Sequence, residues 1–166
     1  MKRLLAALFL ALVGALVVAS GVASADPKQD LVSGTGHVVI EEAEFDAQLH
    51  VNAKSGPTGE DPRGHFFLTR SQFGIEDIDF SGRVTCVDVN GDLAAVGGVV
   101  TKSKNPSVPE GSGILINIED RGSDAEDAAG VFVTSLPPTE PPTNCEFSDA
   151  SALATGGNFI VHDATL

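Results

Sequence analysis

The chain has 166 residues, a formal net charge of −13, two cysteines, and neither Tyr nor Trp. Such a carboxylate excess repels phosphate backbones and anionic bilayers, which argues against nucleic acid and membrane surfaces as partners. Without Trp or Tyr there is no ready stacking platform with a polar tip, which argues against a typical carbohydrate-binding module or glycan-hydrolase cleft. A chain of this length suits one domain and buries about 70 % of its unfolded surface.

The chain begins with Lys2 and Arg3, followed by the apolar run Leu4 to Val18 and the small residues Ala23-Ser24-Ala25. Asp26-Pro27-Lys28 then turns polar. Basic, apolar and small-residue segments in that order read as a secretory signal peptide, residues 1–25, cleaved after Ala25. An uncleaved anchor is the competing reading, but a span wants about 20 apolar residues. Gly14, Ser20, Gly21 and Ser24 weaken this one. Residues 26–166 are then expected to form one secreted β domain, soluble and extracellular. The leader holds no Cys that could carry a lipid. Leu136-Pro137-Pro138-Thr139 resembles the start of a cell-wall sorting signal, but Glu140 stands where Gly is expected and no apolar tail follows. A Pro-rich loop is the plainer account.

Beyond residue 25 helical periodicity is nearly missing, and short runs with period-two alternation recur. Gly36 to Ile40 is the first, and Phe45 to Ala53 is the clearest, with apolar residues on every odd position. That is a strand with one buried and one wet face. Lys54 to Pro62 reads as a loop, and His65 to Arg70 and Ile78 to Val89 as strands. Asn90-Gly91 is a hairpin signal leading into Leu93 to Thr101. Gly97-Gly98 inside that strand suggests a bulge or a close backbone approach. Ile114 to Glu119, Val131 to Ser135 and Asn158 to Ala164 complete eight strands, with Leu136 to Asn144 as a Pro-rich loop. Eight short antiparallel strands with polar turns predict a meander barrel, with a sandwich as the alternative. Gly34 to Ile40 and Gly156 to His162 resemble each other and read as first and last strands that close the sheet.

Cys86 and Cys145, in an exported chain, read as a disulfide. The loop between them is worth about 4 kcal/mol in the chain-entropy model. A reactive thiol is the alternative, disfavoured because no CxxC spacing exists. The bond would pin the Pro-rich excursion onto the strand that carries Cys86.

Several blocks appear in order: Gly34-Thr35-Gly36, Gly64-His65-Phe66, Gly82 to Val87, Asp120-Arg121-Gly122, and Gly157 to Ala164. This order resembles a family of small secreted bacterial all-β domains, most specifically in the GRVTC and GNFIVHDA blocks. The resemblance implies export and an all-β fold and supplies no catalytic residue.

Chemistry has few candidates. Asp120, Asp124, Glu126 and Asp127 cluster around Gly122 and could surround calcium, which takes six to eight oxygens. A solvated hairpin loop explains them more simply. Asp88-Val89-Asn90-Gly91-Asp92 mimics half an EF-hand loop, but Leu93 and Val99 stand where Gly and Glu are needed. His37, His50, His65 and His162 show no zinc-binding spacing and read as surface residues. No GxSxG elbow, SxxK or glycine-rich phosphate loop is present. No catalytic residue, cofactor or metal is therefore assigned. The expectation is a non-catalytic binding or surface-interaction module with an unidentified protein or small-molecule partner. A small-ligand carrier barrel is the alternative, followed by a calcium module or a cryptic hydrolase or isomerase. A carrier would leave Ala47, Ala53, Ala94 and Gly98 around a cavity. A structural module would fill the interior with Phe45, Phe80, Ile114, Ile116, Ile118 and Phe159.

Overall fold

The computed structural model describes residues 28–40, 45–70, 79–123, 125–148 and 153–165. The leader, with its cleavage position, lies outside the described residues. Eight strands follow in chain order: β1 Asp30–Ile40, β2 Phe45–Ser55, β3 Arg63–Thr69, β4 Asp79–Asn90, β5 Leu93–Ser103, β6 Gly113–Glu119, β7 Ala128–Ser135 and β8 Leu153–His162. Each pairs antiparallel with the next, and β8 returns to β1, so the sheet closes as a meander barrel. All eight expected strands form, the first and last are neighbours, and the sandwich alternative falls. β1 and β8 start six and five residues earlier than the hydrophobic pattern suggests. The added stretch of β1 carries the fully buried Val32 among polar and Gly residues, and cross-strand pairing extends both strands beyond the alternating run.

Alternation decides which way each strand faces. In β2, Ala47, Leu49, Val51 and Ala53 are at most 2 % exposed, and the residues between them face outward. Phe66 projects inward from β3 and meets Phe80 edge-on, with ring centroids 6.4 Å apart. Gly82 on β4 and Gly98 on β5 make room for that ring, because a Cβ at either position would collide with it. Ile114, Ile116, Ile118 and Phe159 complete the interior, all at most 1 % exposed. The side chain of Phe45 lies outside the described set.

The β4–β5 turn consists of Gly91 and Asp92, since Asn90 pairs with Leu93. Positive φ falls on Gly91 alone (φ 61°), as a two-residue hairpin with Gly in first place requires. Asn90 therefore ends the strand and is not part of the turn.

β5 breaks the alternation, since Ala94 to Val100 are all buried. Its inner face packs in the core, and its outer face lies under the chain that follows β7. Cys145 on that arm bonds Cys86 of β4, with Cα atoms 5.8 Å apart. Ala95, Leu115 and Phe147 gather around the bond. The arm is held further by Thr85 Oγ1, which donates to the Pro142 carbonyl (2.5 Å), and by Asn117 Nδ2, which donates to Ser148 Oγ (2.9 Å). Gly97 lies directly beneath, where a Cβ would strike both sulfurs. The Gly97-Gly98 pair thus clears side chains on both faces, a disulfide outside and Phe66 inside. The irregular backbone sits on the partner strand, where β4 shifts register between Val84 and Cys86.

Two outcomes are expected. Phe66→Ala lowers unfolding free energy by about 3–5 kcal/mol, measured by urea denaturation with an unchanged slope. Cys86→Ser, with a separation of 59 residues to Cys145, lowers it by about 4 kcal/mol.

Candidate binding surface

The acidic loop between β6 and β7 serves the barrel seam. Alternate N–H groups of β8 point away from β1, and among the described residues β7 meets β8 at one pair, Ala128 with Leu153. Carboxylates take over where β7 is missing. Asp127 Oδ2 accepts from Phe159 N (2.7 Å), and Asp120 Oδ2 accepts from Val161 N (3.0 Å). Their other oxygens accept from the loop itself, Asp127 Oδ1 from Arg121 N (3.0 Å) and Asp120 Oδ1 from Gly122 N (2.9 Å). All four oxygens of these two calcium candidates are engaged by backbone donors. Glu126 is exposed, and Asp124 lies outside the described residues. Arg121 pairs with Glu119 at 2.7 Å, placing a cation in the loop and holding the Glu119 carboxyl below its usual range. No group of three metal-ligating side chains converges among the described residues.

Two more carboxylates close the same end of the barrel. Asp163 accepts from Thr165 Oγ1, from Gly91 N (2.9 Å) and from Thr165 N (2.7 Å), and these bonds hold its carboxyl below the usual range. Asp30 accepts from Ala164 N (2.9 Å), but burial outweighs that bond and pushes its carboxyl up.

The four histidines lie on one continuous outer wall formed by β8, β1, β2 and β3. Strand register sets its rows. Ile160, Ser33, Asn52, His65 and Arg83 make one row across β8–β1–β2–β3–β4. Asn158, Thr35, His50, Phe67, Ser81 and Lys102 make the next, reaching β5. His162, Leu31, Lys54 and Arg63 make the row on the other side. His37 stands beyond the second row, opposite Gln48. His50 and His65 come together, with ring centroids 5.7 Å apart and a 32° tilt. Phe67 is directly opposite His50 and 38 % exposed, at the edge of a shallow cleft with Ser81, Lys102 and Lys104. Sequence spacing did not show this assembly, because its members lie far apart in the chain and only the register aligns them.

The three full rows contain no Asp or Glu. Lys54, Arg63, Arg83 and Lys102 make no ion pair among the described residues. Carboxylates border these rows: Asp79 binds Lys104 at 2.7 Å, Glu110 lines the cleft, Glu60 and Asp61 are exposed in the turn between β2 and β3, and Asp88 is exposed on β4. No protein family, characterised protein or solved structure matches the chain.

Two expectations follow from the carboxylates. Asp127→Asn presents an amide donor to one of two backbone donors, and stability should fall by about 1–3 kcal/mol. Hydrogen exchange at Phe159 and Val161 should rise with it. Asp163 has a folded pKa below its unfolded value, so its stabilising effect holds above the ordinary carboxylate range and is lost as pH falls through the folded value. Asp163→Asn should therefore lose stability at pH 7 and change little at pH 2, read from urea midpoints.

Proposed function

We propose that this protein is a secreted, non-catalytic β-barrel module that binds its partner on its outer surface. The observation that carries this reading is the filled interior. The small residues a carrier needs do not leave space for a ligand. The Phe66 ring occupies the room at Gly82 and Gly98, while Ala47, Ala53 and Ala94 are at most 2 % exposed and packed into the core cluster. An eight-stranded barrel holds a ligand only when its lumen is left open, and here side chains fill it. Surface clefts lie outside the barrel, among them one beside Phe67, one beside the Asp120 turn and one beside Leu136.

Export is supported by the leader and by the Cys86–Cys145 bond, which belongs to an oxidising compartment. Among the described residues no helix is long and apolar enough to cross a membrane. The resemblance to small secreted bacterial β domains supports the same placement.

Native mass spectrometry on unreduced protein from culture medium tests the reading. The expected mass begins at Asp26, lacks two hydrogens for the disulfide, and carries no adduct. A stoichiometric apolar adduct lost in Gly98→Leu would instead establish the carrier. A mass that retains residues 1–25 would overturn cleavage after Ala25.

A further inference from the structure

We propose that Asn90 is a site of spontaneous covalent modification, conversion to aspartate or isoaspartate through a cyclic imide with Gly91, and that Asp163 is the residue that restrains it.

The chemistry starts from the sequence. Asn90 is the one asparagine of the chain followed by glycine. In such a pair the glycine nitrogen approaches the side-chain amide carbon with no second side chain in the way. That nitrogen loses its proton and attacks Asn90 Cγ. A new N–C bond closes a five-membered ring, and the side-chain nitrogen leaves as ammonia. Water then opens the ring at one carbonyl or the other. One opening gives aspartate. The other gives isoaspartate, in which the main chain runs through the former side chain. Water is the only co-reactant, and nothing is oxidised or reduced.

The fold presents the pair openly. Asn90 is exposed at the end of β4, and a Cβ on Gly91 would meet nothing within 4 Å. Solvent hydroxide therefore reaches the turn. Two features oppose the reaction. Asn90 is held extended by its pairing with Leu93, and ring closure requires it to leave that conformation. The attacking nitrogen is also engaged, because Gly91 N donates to Asp163 Oδ2 (2.9 Å).

That second bond acts on the reacting atom itself. A negative charge beside an N–H opposes loss of its proton, as any like charge opposes ionisation. Asp163 is also a poor base for taking that proton, since its carboxyl is held below the usual range by its bonds to Thr165 and Gly91. Its position is fixed from behind. Asp163 is 7 % exposed, its other oxygen accepts from Thr165 N (2.7 Å), and Ala164 N is tied to Asp30 Oδ1 (2.9 Å). A further contact holds the same hairpin, Asp120 N donating to the Asp92 carbonyl (2.9 Å), but it leaves the reacting nitrogen untouched. Asp163 lies 72 positions from Gly91 in the chain, so the restraint exists only in the closed barrel.

The products differ in consequence. Aspartate adds a charge to a turn that already holds Asp92 and the Asp163 carboxylate. Isoaspartate lengthens the main chain at the strand end and disrupts the pairing with Leu93.

The test incubates the intact disulfide-bonded protein at mildly alkaline pH and follows residue 90 by peptide mapping with mass spectrometry. An isoaspartate-specific methyltransferase assay runs beside it. Expected in the wild type is slow conversion at Asn90 and none at the other asparagines. Asp163→Ala should raise the rate about tenfold, as befits the loss of a hydrogen bond to a charged group. Phe66→Ala weakens the core without touching the turn and should leave the rate within about twofold, because the hairpin opens locally. Circular dichroism confirms that both variants are folded. Backbone hydrogen exchange at Gly91 is the second readout, slow in the wild type and fast in Asp163→Ala. Unprotected exchange at Gly91 in the wild type, an unchanged or slower conversion in Asp163→Ala, or equal acceleration by Phe66→Ala overturns the role of Asp163. An Asn90 that stays unmodified even in Asp163→Ala overturns the site itself. None of these outcomes touches the outer-surface reading, which does not involve the hairpin.

Discussion

The barrel depends on finding acceptors for the N–H groups along the open side of β8. A closed sheet removes its edges only if the last strand is paired, and β7 overlaps β8 at a single described pair. Asp127 and Asp120 supply the missing acceptors to Phe159 and Val161. A carboxylate bonded to backbone N–H groups forms strong, charge-assisted bonds, which suits a buried seam. Each also clamps its own loop, so the turn and the seam are held by the same side chains. Asp120 and Asp127 of the densest acidic stretch thereby serve as backbone acceptors.

The disulfide solves a second problem on the other side of the barrel. The outer face of β5 is as apolar as its inner one, and such a face is unfavourable in water. The arm from Leu136 onward crosses it, and Cys86–Cys145 holds the arm there. Gly97 makes the close approach sterically feasible, with both sulfurs in the space a side chain would fill. The two devices divide the labour: carboxylates close β7 against β8, and a covalent staple covers β4, β5 and β6.

The architecture was legible in the sequence because the strands obey simple alternation. Phe45 to Ala53 announces its two faces outright, and the likeness of Gly34–Ile40 to Gly156–His162 correctly predicts neighbouring strands. The even cysteine count behind a leader that reads as a secretion signal predicts the bond that forms. The uninterrupted apolar run Ala94 to Val100 was the unread signal for a strand covered on both faces. The surface site was not legible, because it is a property of register. His50 and His65 are fifteen positions apart in the chain, and only the β2–β3 pairing sets them side by side.

The same distinction separates total charge from local field. Composition counts every carboxylate as repulsive toward an anion, wherever it sits. In the folded chain Asp120, Asp127, Asp30 and Asp163 are turned onto backbone amides at the seam and at one end of the barrel. Glu119 is spent on Arg121, and Asp79 on Lys104. The carboxylates that structure the barrel thus act as local acceptors, each fixed to a backbone amide or a neighbouring cation. Acceptors needed at the seam therefore explain the placement of these side chains, which net charge alone does not.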